Sequence, residues 1–306
     1  MAASVVIPAD RSPANRVDDA ITKARGAHDA GVGQVWVAQQ LDGDAIALAA
    51  VIGAAVPGLG VGTSVVPINP RHPLLIASAA HTAQAAANGN FSLGLGLGGH
   101  AIEQQAFGIT PTNSVQRLRE HLTVLRAIND ERTVDFHGTQ ITAVDSPVMP
   151  VAPPGTTAFP VYVAAMGPRA LRVTGELADG TLPLLAGPRT IEEFIVPTIT
   201  GAAADAGRPD PRIIAIVPVA VTDDAAAVHA AVADRLAFYD QIPSYQKVLA
   251  REGVSGAAEL ALVGTAPSLT RRLKTYLDAG ATDVALMPLQ TEWAELAPVW
   301  DLAAAF

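Results

Sequence analysis

The residues best placed to hold a ligand are Ala165, Met166, Gly167 and Pro168, which join a β-branched run, Val161 to Val163, to a segment of helical spacing. A Gly-Pro start leaves the first N–H groups of a helix unpaired at the positive end of its dipole, where a phosphate could sit. Small residues there let an anion approach the backbone closely. The next strand begins at Asp179-Gly180, so the segment reads as a βαβ unit with its ligand loop at the carboxyl end of a strand. Taken alone, it reads equally well as a helix N-terminus without a ligand.

His100 is the candidate catalytic residue. It is the histidine that falls near the carboxyl end of a predicted strand, and its ordinary pKa of about 6.5 suits proton transfer in either direction. The other reading has it hydrogen-bonding its loop or a ligand without moving protons. His28, His121 and His229 fall within helical patterns, and His81 faces the core or the third strand. His72 follows Arg71 at a helix start, where an anion contact is an alternative to a simple cap. Tyr245 stands on a turn, to pack or to donate a hydrogen bond.

These residues need a scaffold, and the chain alternates short apolar runs with helical segments. Strands are predicted at Ser4–Pro8, Gln34–Ala38, Val61–Val66, Phe91–Leu97, Val161–Ala165, Thr181–Leu184, Ile213–Val221 and Val284–Met287. Helices are predicted at Arg16–Ala30, Ala45–Ala55, Pro73–Ala87 and Val115–Ile128. Eight strands alternating with helices point to an α/β fold, a (β/α)8 TIM barrel spanning residues 1–306 as a single domain. Two insertions interrupt the period. Thr133–Pro154 reads as a short β excursion after the fourth strand and its helix, and Asp223–Ala258 as a helical lid after the seventh.

Composition narrows the chemistry. The absence of cysteine excludes disulfides, thiolate metal sites and cysteine nucleophiles, and no metal site is expected. A net charge of −9 without a basic stripe argues against nucleic acid. No apolar stretch reaches the roughly 18 residues of a membrane span, and the N-terminus lacks a basic leader, so a cytoplasmic protein acting on a small molecule is expected. The preference for arginine over lysine, with abundant alanine, suggests a GC-rich genome.

Four motifs then occur in order: Leu59-Gly-Val-Gly-Thr-Ser-Val-Val-Pro67 with Arg71-His-Pro73; Phe91-Ser-Leu-Gly-Leu-Gly-Leu-Gly-Gly99; Ala164-Ala-Met-Gly-Pro-Arg169; and Leu262-Val-Gly-Thr-Ala-Pro267. Together they resemble the bacterial luciferase-like family, in particular its coenzyme F420-dependent oxidoreductase branch, over nearly the whole chain. The resemblance implies a deazaflavin cofactor, with flavin mononucleotide (FMN) as the alternative. It implies a bulge in the third strand with a non-prolyl cis peptide at Ser64-Val65 behind the ring. Gly96, Gly98 and Gly99 would leave room for the ring, and Ala165 to Pro168 would hold the phosphate. Family members are commonly dimers, which implies a homodimer, although no helix displays an apolar face assignable to an interface.

Two departures separate the chain from the sugar-phosphate dehydrogenases of that branch. These carry an Asp-His pair after the second strand, where Gln39 and Gln40 stand here, and an amide cannot take a proton at neutral pH. They also carry an acid after the glycines of the fourth strand, where this chain has Gly99-His100. The expectation is therefore hydride transfer between the deazaflavin and a small organic substrate, with reduction of an activated C=C or C=N bond. Gln39 and Gln40 remain expected cofactor contacts. A luciferase-like flavin monooxygenase and a non-catalytic cofactor-binding barrel are the alternatives. Other barrel chemistries lack their residues: no lysine stands at a strand end for a Schiff base, and no carboxylate pair for glycoside hydrolysis.

Overall fold

Segments rich in Val, Ile and Gly form strands, and the alanine-rich segments between them form helices that return the chain to the same edge. The computed structural model describes residues 3–10, 12–110, 113–152 and 154–306. The chain opens with β1 (Ala3–Val6), α1 (Arg16–Asp29), β2 (Gln34–Val37), α2 (Ala45–Ala55), β3 (Gly60–Thr63), β4 (Val66–Pro67) and α3 (Pro73–Ala86). Next come β5 (Phe91–Gly96), α4 (His100–Phe107), α5 (Ser114–Glu131), the hairpin β6 (Asp135–His137) and β7 (Thr142–Val144), β8 (Val161–Ala164) and α6 (Pro168–Leu177). β9 (Gly180–Thr181) leads to α7 (Pro188–Thr190), which runs through a π-helical turn into α8 (Val196–Asp205). β10 (Arg212–Val221), α9 (Ala225–Asp240), α10 (Pro243–Glu252), β11 (Leu262–Gly264), α11 (Ala266–Asp278), β12 (Asp283–Pro288) and α12 (Trp293–Ala305) complete the chain.

Eight parallel strands, β1, β2, β3, β5, β8, β9, β10 and β12, close into a barrel through the pairing of β12 with β1. The fold is the expected (β/α)8 barrel. Alternation along each strand separates two cores, because successive side chains point to opposite faces. Val5, Val35 and Leu93 pack outward against the helices. Val6, Trp36, Tyr162, Leu182, Ile214, Ile216 and Ala285 fill the barrel, with Val65, Leu184 and Met287 above them. The amino-terminal end is closed by Arg212, which donates to the Tyr162 hydroxyl (3.1 Å) and pairs with Asp283 (2.8 Å).

The third strand carries the bulge and the cis Ser64-Val65 peptide that the resemblance implies, in place of the continuous run that the residues alone suggest over Val61–Val66. β3 ends at Thr63, the Ser64-Val65 peptide is cis, and β4 resumes the pairing. Gly62 faces Ser92 and Val66 faces Leu95, so one extra residue is bulged out on this side of the ladder. β11 adds a strand that the apolar pattern does not announce, since Leu262-Val-Gly264 is too short to stand out. It pairs with the upper end of β10, opposite the edge that holds β12.

Both insertions are present. β6 and β7 form an antiparallel hairpin whose turn is held by Glu120 of α5: its carboxylate accepts from the backbone N–H of Thr139, Gln140 and Ile141 at 2.8–2.9 Å and from the Thr139 hydroxyl at 2.6 Å. Burial alone would push this carboxyl up, but the hydrogen bonds from Thr139, Gln116 and the backbone outweigh it and hold the pKa at about 2. α9 and α10 form the second insertion. Val232, Leu236 and Leu249 pack on Leu185, Ala220 and Leu289 at the carboxyl ends of β9, β10 and β12.

Candidate functional site

The carboxyl ends of the strands meet in a mouth whose floor is apolar, made by Val65, Leu184 and Met287. Gly96, at the end of β5, faces the bulge. A Cβ at Gly96 would stand 2.7 Å from Val65 Cγ2, and the β-branched valine has little freedom to give way. Without that side chain the bulge and the end of β5 lie close together. The Ser64 hydroxyl at the cis bond is buried and has no hydrogen-bond partner among the described residues.

β8 then leads into Ala165, Met166, Gly167 and Pro168, the loop expected to hold a phosphate. Thr181 of β9 donates to the Val163 carbonyl (2.8 Å) and reaches the Ala165 carbonyl (3.4 Å), which ties the loop down from behind. Gly167 is the N-cap of α6, with Pro168 at its first turn and no side chain capping the free N–H groups. Nothing lies within 4 Å of a Cβ built at Gly167, so the space in front of the helix is open. Met166 is half-buried and packs against the core, while Arg169 of the first turn is exposed. An uncapped helix start, an open approach and an apolar floor fit a planar group carrying a phosphate.

A second Gly-Pro-Arg helix start follows the adjacent strand, at Gly187-Pro188-Arg189, and it has a different fate. Glu252 at the end of α10 accepts from Thr190 N (2.8 Å), the Thr190 hydroxyl (2.7 Å) and Arg189 N (3.3 Å). The carboxylate takes the place an anion would fill and fastens the insertion to the barrel. Arg251 stacks on Phe194 at 3.8 Å beside it. The insertion is thus a docked wall on one side of the mouth.

The two glutamines after β2 part company. Gln39 donates to the carbonyls of Gln40 (2.6 Å) and Gly43 (2.9 Å) and accepts from Ala45 N (3.1 Å) and Arg71 (3.1 Å). Its amide is thus committed to the loop and the start of α2. Gln40 stands beyond the end of β2, its backbone N–H donates to the Gly43 carbonyl (3.3 Å), and its side chain makes no hydrogen bond among the described residues.

His100 is the first residue of α4, directly after the N-cap Gly99; its side chain lies outside the described residues. Gly98 has φ +83°, the left-handed region that favours glycine, and Glu103 of the same helix packs its carboxylate against it with 2% exposure. A buried carboxylate thus stands against the end of β5 one helical turn after Gly99. The only signal for it in the sequence is an acid in the first turn of a helix.

The remaining candidates are structural. His72 caps α3, accepting from Leu74 N (3.3 Å) and meeting the Thr142 carbonyl (3.0 Å), while Arg71 pairs with Asp44. An anion contact at Arg71-His72 is thus already taken by the protein. His81 is buried edge-on against Phe159. Tyr245 packs on Tyr239 at 4.8 Å, and burial pushes its hydroxyl pKa well up, which suits packing rather than proton transfer.

The model of the luciferase-like monooxygenase family matches residues 1–283. The chain belongs to the luciferase-like monooxygenase family. A relative from Mycobacterium tuberculosis that carries the name of a coenzyme F420-dependent oxidoreductase is 27% identical, over 70% of this chain and 65% of the relative. The match thus spans less than two thirds of that relative. Among solved structures, an F420-dependent secondary alcohol dehydrogenase in complex with an F420-acetone adduct superposes with a TM-score of 0.82 at 18% identity, covering 99% of this chain and 98% of that one. The FMN-bound oxygenating component of 3,6-diketocamphane monooxygenase from Pseudomonas putida gives 0.76 at 15% identity, covering 99% and 97%. The same barrel fold is thus found in an F420-dependent and in an FMN-bound enzyme. Among the described residues no helix is long and apolar enough to cross a membrane.

Proposed function

We propose that this protein is a coenzyme F420-dependent oxidoreductase that reduces an activated C=C or C=N bond of a small organic molecule. The observation that carries the reading is the uncapped start of α6 at Gly167, open in front, at the same end of the barrel as the apolar cluster of Val65, Leu184 and Met287. The mycobacterial relative's name supports F420 over FMN.

Bound there, the reduced deazaflavin supplies a hydride. The protein's part is to bind, orient and provide a proton. The N–H groups of α6 hold the phosphate, with Ala165, Met166 and Pro168 shaping the loop. Ser64, Val65 and Gly96 back the ring, and Gly98 and Gly99 leave its edge open. Gln40 can hydrogen-bond a substrate but cannot accept its proton, which disfavours alcohol oxidation by a base at this position. His100 is assigned the proton, which it can give at neutral pH.

Titration of the purified protein with F420 and with FMN tests the assignment. Tighter F420 binding is expected. Equal or tighter FMN binding, with oxygen consumption on reduction, would move the assignment to a flavin monooxygenase. Binding without turnover of any electron-poor alkene or imine would leave a cofactor-binding barrel.

A further inference from the structure

At the amino-terminal end of the barrel, opposite the mouth, α3 grips the segment that leads into β8. Gln84 of α3 donates to the Thr157 hydroxyl (2.9 Å) and the Ala158 carbonyl (2.8 Å) and accepts from Phe91 N (2.9 Å). Asn129 of α5 donates to the Phe159 carbonyl (2.9 Å). His81 stands three residues before Gln84, on the same face of α3, and is 1% exposed. Its ring meets Phe159 edge-on with centroids 5.1 Å apart, and Phe159 meets Phe91 in turn at 6.3 Å. Neither ring nitrogen of His81 has a hydrogen-bond partner among the described residues.

An imidazolium in this place would be a buried charge with no acceptor for either N–H. The elements packed about it offer no relief. α2, α3, β5 and residues 157–160 contain no acidic or basic residue besides His81 itself, and the charged group that acts on the ring is Arg132, just past α5 and of the same sign. Burial, and then Arg132, hold the His81 pKa below the ordinary 6.5. His121, likewise fully buried, is housed differently: Nδ1 lies 3.0 Å from the Arg117 carbonyl and Nε2 3.1 Å from the Arg71 carbonyl. A neutral imidazole can donate to only one of these, so a second proton would gain a bond there. His81 has no such compensation among the described residues.

We propose that His81 is an acid-sensitive latch: the neutral ring seats α3 on Phe159 and closes the entrance of β8, and its protonation opens this seam before the rest of the barrel unfolds. A base whose folded pKa lies below its unfolded value favours the fold above that unfolded value, and the contribution is lost as pH falls toward the folded one. From this group the folding equilibrium constant should therefore fall by a factor approaching about ten per pH unit below 6.5.

Denaturant unfolding of the wild type and of His81→Leu, from about pH 8 to about pH 5, tests this. The wild type should lose stability in acid more steeply, by that factor, because leucine has no proton to take. Parallel profiles would overturn the proposal. Hydrogen exchange locates the opening through the amides of Phe91 and Leu93, which donate to Gln84 and to the Pro160 carbonyl across the seam. Acid should speed their opening by about tenfold more in the wild type than in the variant, with the Ile7 amide, bonded to the Trp36 carbonyl, unaffected. Equal acceleration of all three amides would mean global unfolding and would overturn the latch. If His81→Leu fails to fold, the wild type labelled at histidine still decides, by nuclear magnetic resonance. The ring in contact with Phe159 should stay neutral at a pH where exposed rings are charged, and a titration with every ring charging at 6.5 or above would overturn the proposal.

Discussion

Gly96 and Val65 approach each other so closely that a single methyl group on the glycine would stand 2.7 Å from Val65 Cγ2. The end of β5 and the bulge of the third strand are therefore fitted to one another at the floor of the mouth. Gly96→Ala should cost about 1–3 kcal/mol of stability, the usual range for overpacking, and should weaken F420 binding by displacing Val65. Thermal melts and cofactor titration read both effects. Gly33→Ala, where a Cβ meets nothing within 4 Å, is the control and should change neither.

Gly167→Asp separates folding from binding. Aspartate is a favourable N-cap, so its carboxylate should take the free N–H groups of α6 and leave the melting temperature equal or higher. The same carboxylate would repel a phosphate and occupy its donors. F420 affinity should fall on the order of a hundredfold. Retained affinity in the folded variant would place the phosphate elsewhere.

Glu252→Ala should loosen the insertion. The carboxylate satisfies two backbone N–H groups and a hydroxyl at the start of α7, so its loss should cost about 1–2 kcal/mol, comparable to removing a helix cap. Proteolysis within α9 and α10 should accelerate before the barrel itself is cut. Cleavage at the wild-type rate would mean that the apolar contacts of Val232, Leu236 and Leu249 suffice.

His100→Ala should lower turnover of a reducible substrate by about a hundredfold with cofactor saturating, the scale of a lost general acid. F420 affinity should change little. A fall in affinity with turnover retained at saturation would instead assign His100 to positioning the cofactor.

Glu120 gives a pH dependence of known sign. Its folded pKa of about 2 lies below the ordinary value of 4.5, so its ionised form stabilises the fold above that ordinary value. The contribution shrinks as pH falls below 4.5 and is lost through about 2. Glu120→Gln should therefore be less stable than the wild type at pH 7, by on the order of 2 kcal/mol, with the gap narrowing in acid. Melts across that range would refute this if the gap stayed constant.

The barrel and the helix start at Gly167 were legible in the sequence because both are local patterns. Apolar runs at strand spacing and Gly-Pro at a helix start identify themselves within a few residues, and eight such units leave few topologies. The bulge at Ser64-Val65 was reached only through family resemblance, since Thr63-Ser-Val-Val66 reads as an ordinary strand. The short β11 and the helix α4 were missed, the one too brief and the other hidden behind glycines.

What each polar side chain does was decided by tertiary structure. Gln39 and Gln40 are identical and adjacent, yet the fold spends the amide of Gln39 on Arg71 and the start of α2 and leaves that of Gln40 without a hydrogen bond among the described residues. Gly167-Pro-Arg and Gly187-Pro-Arg are the same signal, yet a carboxylate more than sixty residues beyond the second fills it and leaves the first open. Glu103 is an ordinary helical acid until α4 folds it against Gly98. Periodicity is set by neighbours along the chain, and so the sequence alone determined the barrel; partners come from strands and helices distant in sequence, and so only the closed fold could assign the site.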